Sequence, residues 1–246
     1  MKNFGLIGKS LSHSFSKSYF ETKFSNLGLK NYTYKNFELL DIKQIQSIFS
    51  SEKLNGLNVT NPYKEEIIPF LDELSSEAEE IGAVNCVKIS NGKKVGYNTD
   101  TYGFSQSIKP FLEPQHNKAL ILGTGGASKA VAHALKRVGV EVFFATSSST
   151  KKTANTFFYS ELNNYIIDSF KLIVNTTPLG LFPNINQQPE IPYEYISANH
   201  LCYDLIYNPE KTLFLNQASQ QGASIINGYS MLQLQAEKSW KIWNEN

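Results

Sequence analysis

The chain has 246 residues, 41% of them hydrophobic and 18% charged, the make-up of an ordinary soluble globular protein with one large domain or two modest ones. Its 23 basic and 22 acidic side chains leave a formal charge of +1, which excludes a global pull toward nucleic acid or membrane. Cys86 and Cys202 are single and far apart and the four histidines are scattered, so neither a disulfide framework nor a metal site is expected. No apolar run approaches the ~20 residues of a membrane-spanning helix and no signal peptide is read, so a cytoplasmic location is expected.

In chain order, residues 4–7 read as a strand. Residues 16–27 read as a helix with Tyr19, Phe20, Phe24 and Leu27 on one face and Gly28 as its stop. A β-rich run at 32–37, a helical run at 42–49 and a short strand at 56–59 follow. Two acidic helical segments are expected near 65–71 and 75–81. Residues 84–89 and 94–97 flank Asn91-Gly92, a strong hairpin signal. A helix at 101–112 then leads toward Pro114.

Mid-chain comes the most informative stretch. Residues 119–122 (Ala-Leu-Ile-Leu) suit a short buried strand, and Gly123, Gly125 and Gly126 turn the chain with no Cβ in the way. From Ser128 onward Val131, Ala134, Leu135 and Val138 recur at helical spacing until Gly139. Bare backbone followed by the free N–H groups of a helix start suits a diphosphate, the first unit of a dinucleotide-binding sheet. An ordinary glycine-rich strand-to-helix turn is the alternative. Strand-like runs at 140–145, 172–175 and 201–205 continue the alternation, implying a parallel sheet with right-handed crossovers. Residues 231–243 close the chain as an amphipathic helix. The pattern describes two α/β units divided near residue 100.

A dinucleotide enzyme needs its other domain to orient a substrate and manage one proton. Three clusters qualify: the hydroxyl-rich loop Ser12-His13-Ser14-Phe15-Ser16; Asn58-Val59-Thr60 with Lys64 past a proline turn; and Gly96-Tyr97-Asn98-Thr99-Asp100 at a strand-to-helix junction. Each also suits a structural role, the serines and Asp100 as helix caps and Lys64 as a solvated lysine. Lysine beside a carboxylate at a domain cleft is nonetheless a sound proton-transfer pair.

At these residues the chain resembles the shikimate dehydrogenase family, along nearly its whole length and in order. The resemblance rests on Gly8 and His13-Ser14-Phe15-Ser16, Asn58-Val59-Thr60 with Lys64, Gly82-Ala83-Val84-Asn85 and Gly96-Tyr97-Asn98-Thr99-Asp100. It continues through the glycine loop to Asn175-Thr176-Thr177-Pro178-Leu179-Gly180, Tyr203-Asp204-Leu205-Ile206-Tyr207-Asn208-Pro209 and Gly228-Tyr229-Ser230-Met231-Leu232 with Gln235. It implies an α/β fold: an N-terminal substrate-binding domain (1–100 plus 229–246, discontinuous), a Rossmann-like NADP-binding domain (101–228), and a cleft between them. It implies reversible NADPH-dependent reduction of 3-dehydroshikimate to shikimate in aromatic amino-acid biosynthesis, by a monomer or homodimer with no nucleic-acid or membrane partner.

The same resemblance implies Lys64 and Asp100 as the catalytic pair. Ser14, Ser16 and Tyr207 would hold the substrate carboxylate, and Thr60, Asn85, Asp100 and Gln235 its ring hydroxyls. Gly123, Thr124, Gly125, Gly126 and Ala127, with Thr146, Ser147, Ser148, Lys151, Thr176, Gly228 and Met231, would hold the cofactor. Two departures stand out. Lys17 replaces the family's usual proline, and Thr146-Ser147-Ser148 replaces its asparagine-arginine-threonine, removing the stacking arginine. No acid ends the second nucleotide-domain strand, which suits a 2′-phosphate, so NADPH preference is expected, weaker than the family norm. A quinate or quinate/shikimate dehydrogenase using NAD and a non-catalytic dinucleotide-sensing protein are the rival readings. Ser14 with Ser16 favours shikimate; Lys64, Asp100 and Gln235 together oppose a sensor.

Overall fold

The computed structural model describes residues 1–11 and 14–245; Ser12 and His13 of the first hydroxyl-rich cluster lie outside the described residues. The chain divides into two compact units, Met1–Thr99 with Ala236–Asn246, and Asp100–Gln235.

The first unit carries β1 (Lys2–Gly8), α1 (Phe15–Asn26), β2 (Tyr32–Glu38), α2 (Ile45–Ser51), β3 (Leu54–Val59), β4 (Glu73–Leu74), α3 (Ser76–Ile81), β5 (Cys86–Ser90) and β6 (Lys93–Tyr97). Its strands form one mixed sheet in the order β2-β1-β3-β5-β6-β4. β1 runs parallel to β2 and β3, whereas β3, β5 and β6 pair antiparallel. Asn91 and Gly92 turn the β5–β6 hairpin at φ 52° and 80°, the left-handed pair that a two-residue turn demands. Side-chain alternation builds a core on each face. Ile7, Leu57, Val59, Tyr63, Ile67 and Val87 pack on one side; Phe4, Leu6, Phe20, Phe24, Tyr34 and Cys86 pack on the other.

Two expectations change here. The acidic run near 65–71 is not an α-helix but a series of turns ending in a 3-10 turn, Ile68–Phe70. Pro69 lies inside it and lacks the N–H that a helix interior needs, and Pro62 stands three residues before it. Leu27 caps α1 and is 55% exposed, so the buried face of that helix is Ser16, Phe20 and Phe24.

The second unit carries α4 (Asp100–Ile108), β7 (Lys118–Leu122), α5 (Gly126–Arg137), β8 (Glu141–Thr146), β9 (Thr156–Phe158), α6 (Asn164–Ser169), β10 (Leu172–Asn175), β11 (Leu201–Asp204), α7 (Leu213–Gln220) and β12 (Ser224–Ile226). The expected helix 101–112 stops at Ile108 and tightens into a 3-10 turn around Pro110. All strands pair in parallel, in the order β12-β11-β10-β7-β8-β9. Taken from β7 onward, that is the doubly wound order 3-2-1-4-5-6 read from the far edge, with its switch point between β7 and β10. Ala119, Ile121, Leu172, Val174 and Tyr203 bury one face under α4 and α5, and Leu120, Leu122, Ile173 and Cys202 bury the other under α6 and α7. The final helix α8 (Tyr229–Asn244) contains the division between units: Met231 joins the core of the second, and Ala236, Ile242 and Trp243 join that of the first.

Candidate active site

In the first unit the expected residues gather at the carboxyl ends of β1 and β3. Val59 donates its N–H to the Asn85 carbonyl at 2.8 Å, and Thr60 donates to the Ile7 carbonyl at 2.9 Å. β5 runs antiparallel to β3, so Asn85, just before β5, comes to the same end. The Lys64 carbonyl accepts the Val84 N–H at 2.7 Å, which ties the lysine-bearing turn beside Asn85. Thr60, Lys64 and Asn85 therefore share one sheet end. Ser14 occupies the extended position before α1, yet its side chain makes no cap hydrogen bond, and its buried hydroxyl has no partner among the described residues. The helix-cap role that the sequence allowed is thus not what Ser14 performs. Ser14 lines an open pocket of about 650 Å³ with Leu11, Lys17, Asn36 and Glu38, and Ser16 is buried two residues further on.

In the second unit Asp100 heads α4 and is 5% exposed. Gly103, one turn later, explains how α4 meets α8. A Cβ there would lie 2.6 Å from the Met231 carbonyl and 3.0 Å from Gln235 Cβ. Asp100 and Gln235 thus sit on two helices in backbone contact at Gly103, a contact invisible in the sequence because an isolated glycine in a helix carries no signal of its partner. The Met231 side chain is buried in the core with Phe104 and Val131, and Gly228 lies so close to Leu205 that a Cβ would stand 2.0 Å from its carbonyl oxygen.

The glycine loop lies at the switch point. Gly123 adopts φ +102°, where an L side chain is strained, and a Cβ would crowd Thr176 Oγ1 at 3.0 Å. Thr176 is itself held by donating its N–H and Oγ1 to the Leu122 carbonyl at 3.0 and 2.7 Å. Gly125 is exposed, and a Cβ there would meet nothing within 4 Å. Gly126 and Ala127 open α5, with Thr124 completing the turn. Open space over bare backbone at a helix start is a cradle for an anion. At the end of β8, Thr146 is buried and accepts the Ser148 N–H at 3.1 Å, while Ser147 is exposed. Lys152 is committed to Glu161 and stands 4.4 Å over the Phe158 ring; Lys151 is exposed in the 3-10 turn Ser149–Lys151.

A buried carboxylate organises the loops after β10 and β11. Asp204 accepts from Asn175 Nδ2 at 3.1 Å, the Ile206 N–H at 3.0 Å and Thr212 Oγ1 at 2.6 Å, and Asn175 Oδ1 accepts from Thr177. The loop carrying Tyr207 and the segment carrying Thr176 are anchored through this one group. Burial pushes the Asp204 carboxyl up to about 6, against the pull of those three donors. Its native value lies above the 3.8 of an ordinary aspartate, so the folded state binds the proton more tightly. The stabilisation is full below pH ~4 and disappears as pH rises through ~6, in all about 3 kcal/mol. Asp204→Asn, whose amide nitrogen can donate to Thr212, should remove that slope in urea midpoints measured from pH 4 to 7. Parallel wild-type and variant curves would show that Asp204 titrates alike in both states.

No group of three or more metal-binding side chains occurs among the described residues, and no described helix is long and apolar enough to cross a membrane. Strand order, glycine cradle and switch-point threonine define the second unit as a dinucleotide-binding α/β domain. Comparison with known proteins agrees. A family profile described as the shikimate dehydrogenase substrate binding domain matches residues 6–87. The chain is 39% identical to a shikimate dehydrogenase (NADP(+)) of Carboxydothermus hydrogenoformans over 97% of its own length and 90% of the relative's. Among solved structures it is similar to shikimate dehydrogenase 1 of Peptoclostridium difficile (TM-score 0.88, 38% identity, 99% and 91% of the two chains). It is also similar to shikimate 5-dehydrogenase of Thermus thermophilus in complex with NADP(H) and shikimate (TM-score 0.87, 30% identity, 99% and 94%). The chain belongs to the shikimate dehydrogenase family.

Proposed function

We propose that this chain catalyses the reversible NADPH-dependent reduction of 3-dehydroshikimate to shikimate, a step of aromatic amino-acid biosynthesis. The observation that carries the reading is the likeness, over nearly the whole chain, to shikimate dehydrogenases named for NADP(+). The first unit binds substrate and the second binds NADPH, in the cytoplasm, a setting that suits two buried cysteines far apart in the chain.

The residues present fit the cofactor. The open cradle at Gly125 and the start of α5 would take the diphosphate, and Thr176 would border it. No acid stands at the end of β8 to repel a 2′-phosphate, for which Ser147, Ser148 and Lys151 would provide hydroxyls and charge. When bound, NADPH supplies the hydride. As the ring carbonyl becomes an alcohol its oxygen gains a proton, whose delivery is assigned to Lys64 and Asp100. Ser14, whose buried hydroxyl has no partner among the described residues, Ser16 and Tyr207 hold the substrate carboxylate. Thr60, Asn85 and Gln235 recognise ring hydroxyls, and an analogue lacking one would leave a buried group unpaired.

The test is nicotinamide absorbance with shikimate or quinate, each with NADP+ or NAD+. Turnover should be greatest with shikimate and NADP+. Lys151→Ala should raise KM for NADP+ about tenfold, an exposed charge-assisted contact being worth ~1 kcal/mol or more, without changing KM for NAD+. Comparable efficiency with NAD+ in the wild type would remove the NADP preference, and turnover of quinate alone would replace the substrate.

A further inference from the structure

Beneath Asn85 runs a buried chain of hydrogen bonds drawn from β2, β3, the start of β5, the end of β6 and α8. The Tyr34 hydroxyl donates to Asn58 Oδ1 at 2.8 Å. Asn58 Nδ2 donates to Ser239 Oγ at 3.0 Å and to the Asn85 carbonyl at 3.3 Å. Ser239 Oγ and Thr99 Oγ1 lie 3.2 Å apart. Asn85 closes the chain: its Nδ2 donates to Thr99 Oγ1 at 3.0 Å, and its Oδ1 accepts the Thr99 N–H at 2.6 Å. None of these side chains is more than 5% exposed, and Ser239 and Thr99 are fully buried.

Backbone groups set the direction of the bonds made by the two asparagines. A carbonyl can only accept, so the contact with the Asn85 carbonyl turns the Asn58 nitrogen that way and its oxygen toward Tyr34. Tyr34 must then donate. A backbone N–H can only donate, so Thr99 holds Asn85 Oδ1 on its own side and orients the Asn85 carboxamide as a hydrogen-bond donor. At its Tyr34 end the chain enters the cluster of Phe4, Phe20, Cys86 and Trp243, and buried apolar side chains of similar shape would serve stability about as well. Its polar character is therefore best explained by what it orients. Ser239 also lies four residues after Gln235, on the same face of α8.

We propose that Ser239 and Tyr34 are positioning residues for substrate recognition: through Asn58 and Thr99 they hold the Asn85 carboxamide as a donor to a ring hydroxyl oxygen of the substrate. This rests on the assignment of Asn85 to the substrate made above. The orientation of Asn85 is set from the last helix of the chain, not only from its own strand.

The experiment is steady-state kinetics with shikimate and NADP+ on wild type, Ser239→Ala, Tyr34→Phe, Asn85→Ala and the Ser239→Ala/Asn85→Ala double variant, with melting curves for each. Each of the first two variants should raise KM for shikimate about tenfold, leaving KM for NADP+ within about twofold. In the Asn85→Ala background the Ser239→Ala effect on KM should vanish, because its route to the substrate is gone. Tyr34 also hydrogen-bonds Ser16, so should Ser239→Ala not fold, the Tyr34→Phe/Asn85→Ala double variant decides the matter by the same cycle: the Tyr34→Phe effect should vanish in the Asn85→Ala background. An unchanged KM for shikimate in the folded single variants, or effects that add in the double variant, overturns the positioning role alone. A wild type that does not oxidise shikimate with NADP+ overturns the functional reading itself, and is seen before any variant is made.

Discussion

Lys64→Ala is expected to lower kcat by about 10²- to 10⁴-fold, the usual worth of a positioned proton-transfer group, with fold and NADP+ binding preserved. The structure explains why folding should survive. What ties the Lys64 turn to the sheet is its backbone carbonyl, which accepts the Val84 N–H, and the substitution leaves that bond in place. Tyr63 and Ile67, on either side, remain in the core. Asp100→Asn is expected to lower kcat and also raise KM for shikimate, since Asp100 is assigned both proton transfer and a ring hydroxyl. Stopped-flow hydride transfer in both variants would separate chemistry from product release. Turnover near wild type in Lys64→Ala, with an unchanged melting curve, would remove Lys64 from the mechanism.

Trp243→Ala should cost about 3–5 kcal/mol in urea-induced unfolding, the range for deleting a large buried aromatic. The indole is 5% exposed, stacks on Phe4 at 4.7 Å between ring centroids, and lies 5.2 Å from Phe20. Its Nε1 donates to the Val87 carbonyl at 3.0 Å, so removal leaves both a cavity and an unpaired acceptor. Gly56 shows how closely the ring is seated, because a Cβ there would lie 2.3 Å from Nε1. Trp243→Phe, which keeps most of the packing and loses the donor, should cost ~1–2 kcal/mol. A loss below ~1 kcal/mol for Trp243→Ala would mean that the aromatic cluster closes up without it.

Much of the fold was legible because its signals are local. The switch from buried strand to glycine to helical spacing marked residues 119–139, and Asn91-Gly92 marked the hairpin that forms there. Strands β9 and β12 escaped notice because each is only 3 residues long, too short for periodicity to register. The expected helix near 65–71 failed for a different reason: acidic and apolar residues matched the helical period, and Pro62 and Pro69 overruled it. Side-chain networks were less visible still. Asn58 meets Ser239 across 181 positions and Thr99 meets it across 140, and no spacing rule reaches so far. Asp204 was visible as part of a motif, yet its task of anchoring two loops came only from its three donors.

The return of α8 to the first unit orders events during synthesis. Phe4, Phe20, Phe24 and Tyr34 are made early, but side chains that pack with them, Ala236, Ile242 and Trp243, follow only after the second unit. At ~5–20 residues per second the ribosome keeps that aromatic face waiting for roughly 10–30 s while the intervening doubly wound unit emerges complete. Completion of the first unit's aromatic core therefore waits on the helix that follows the second unit.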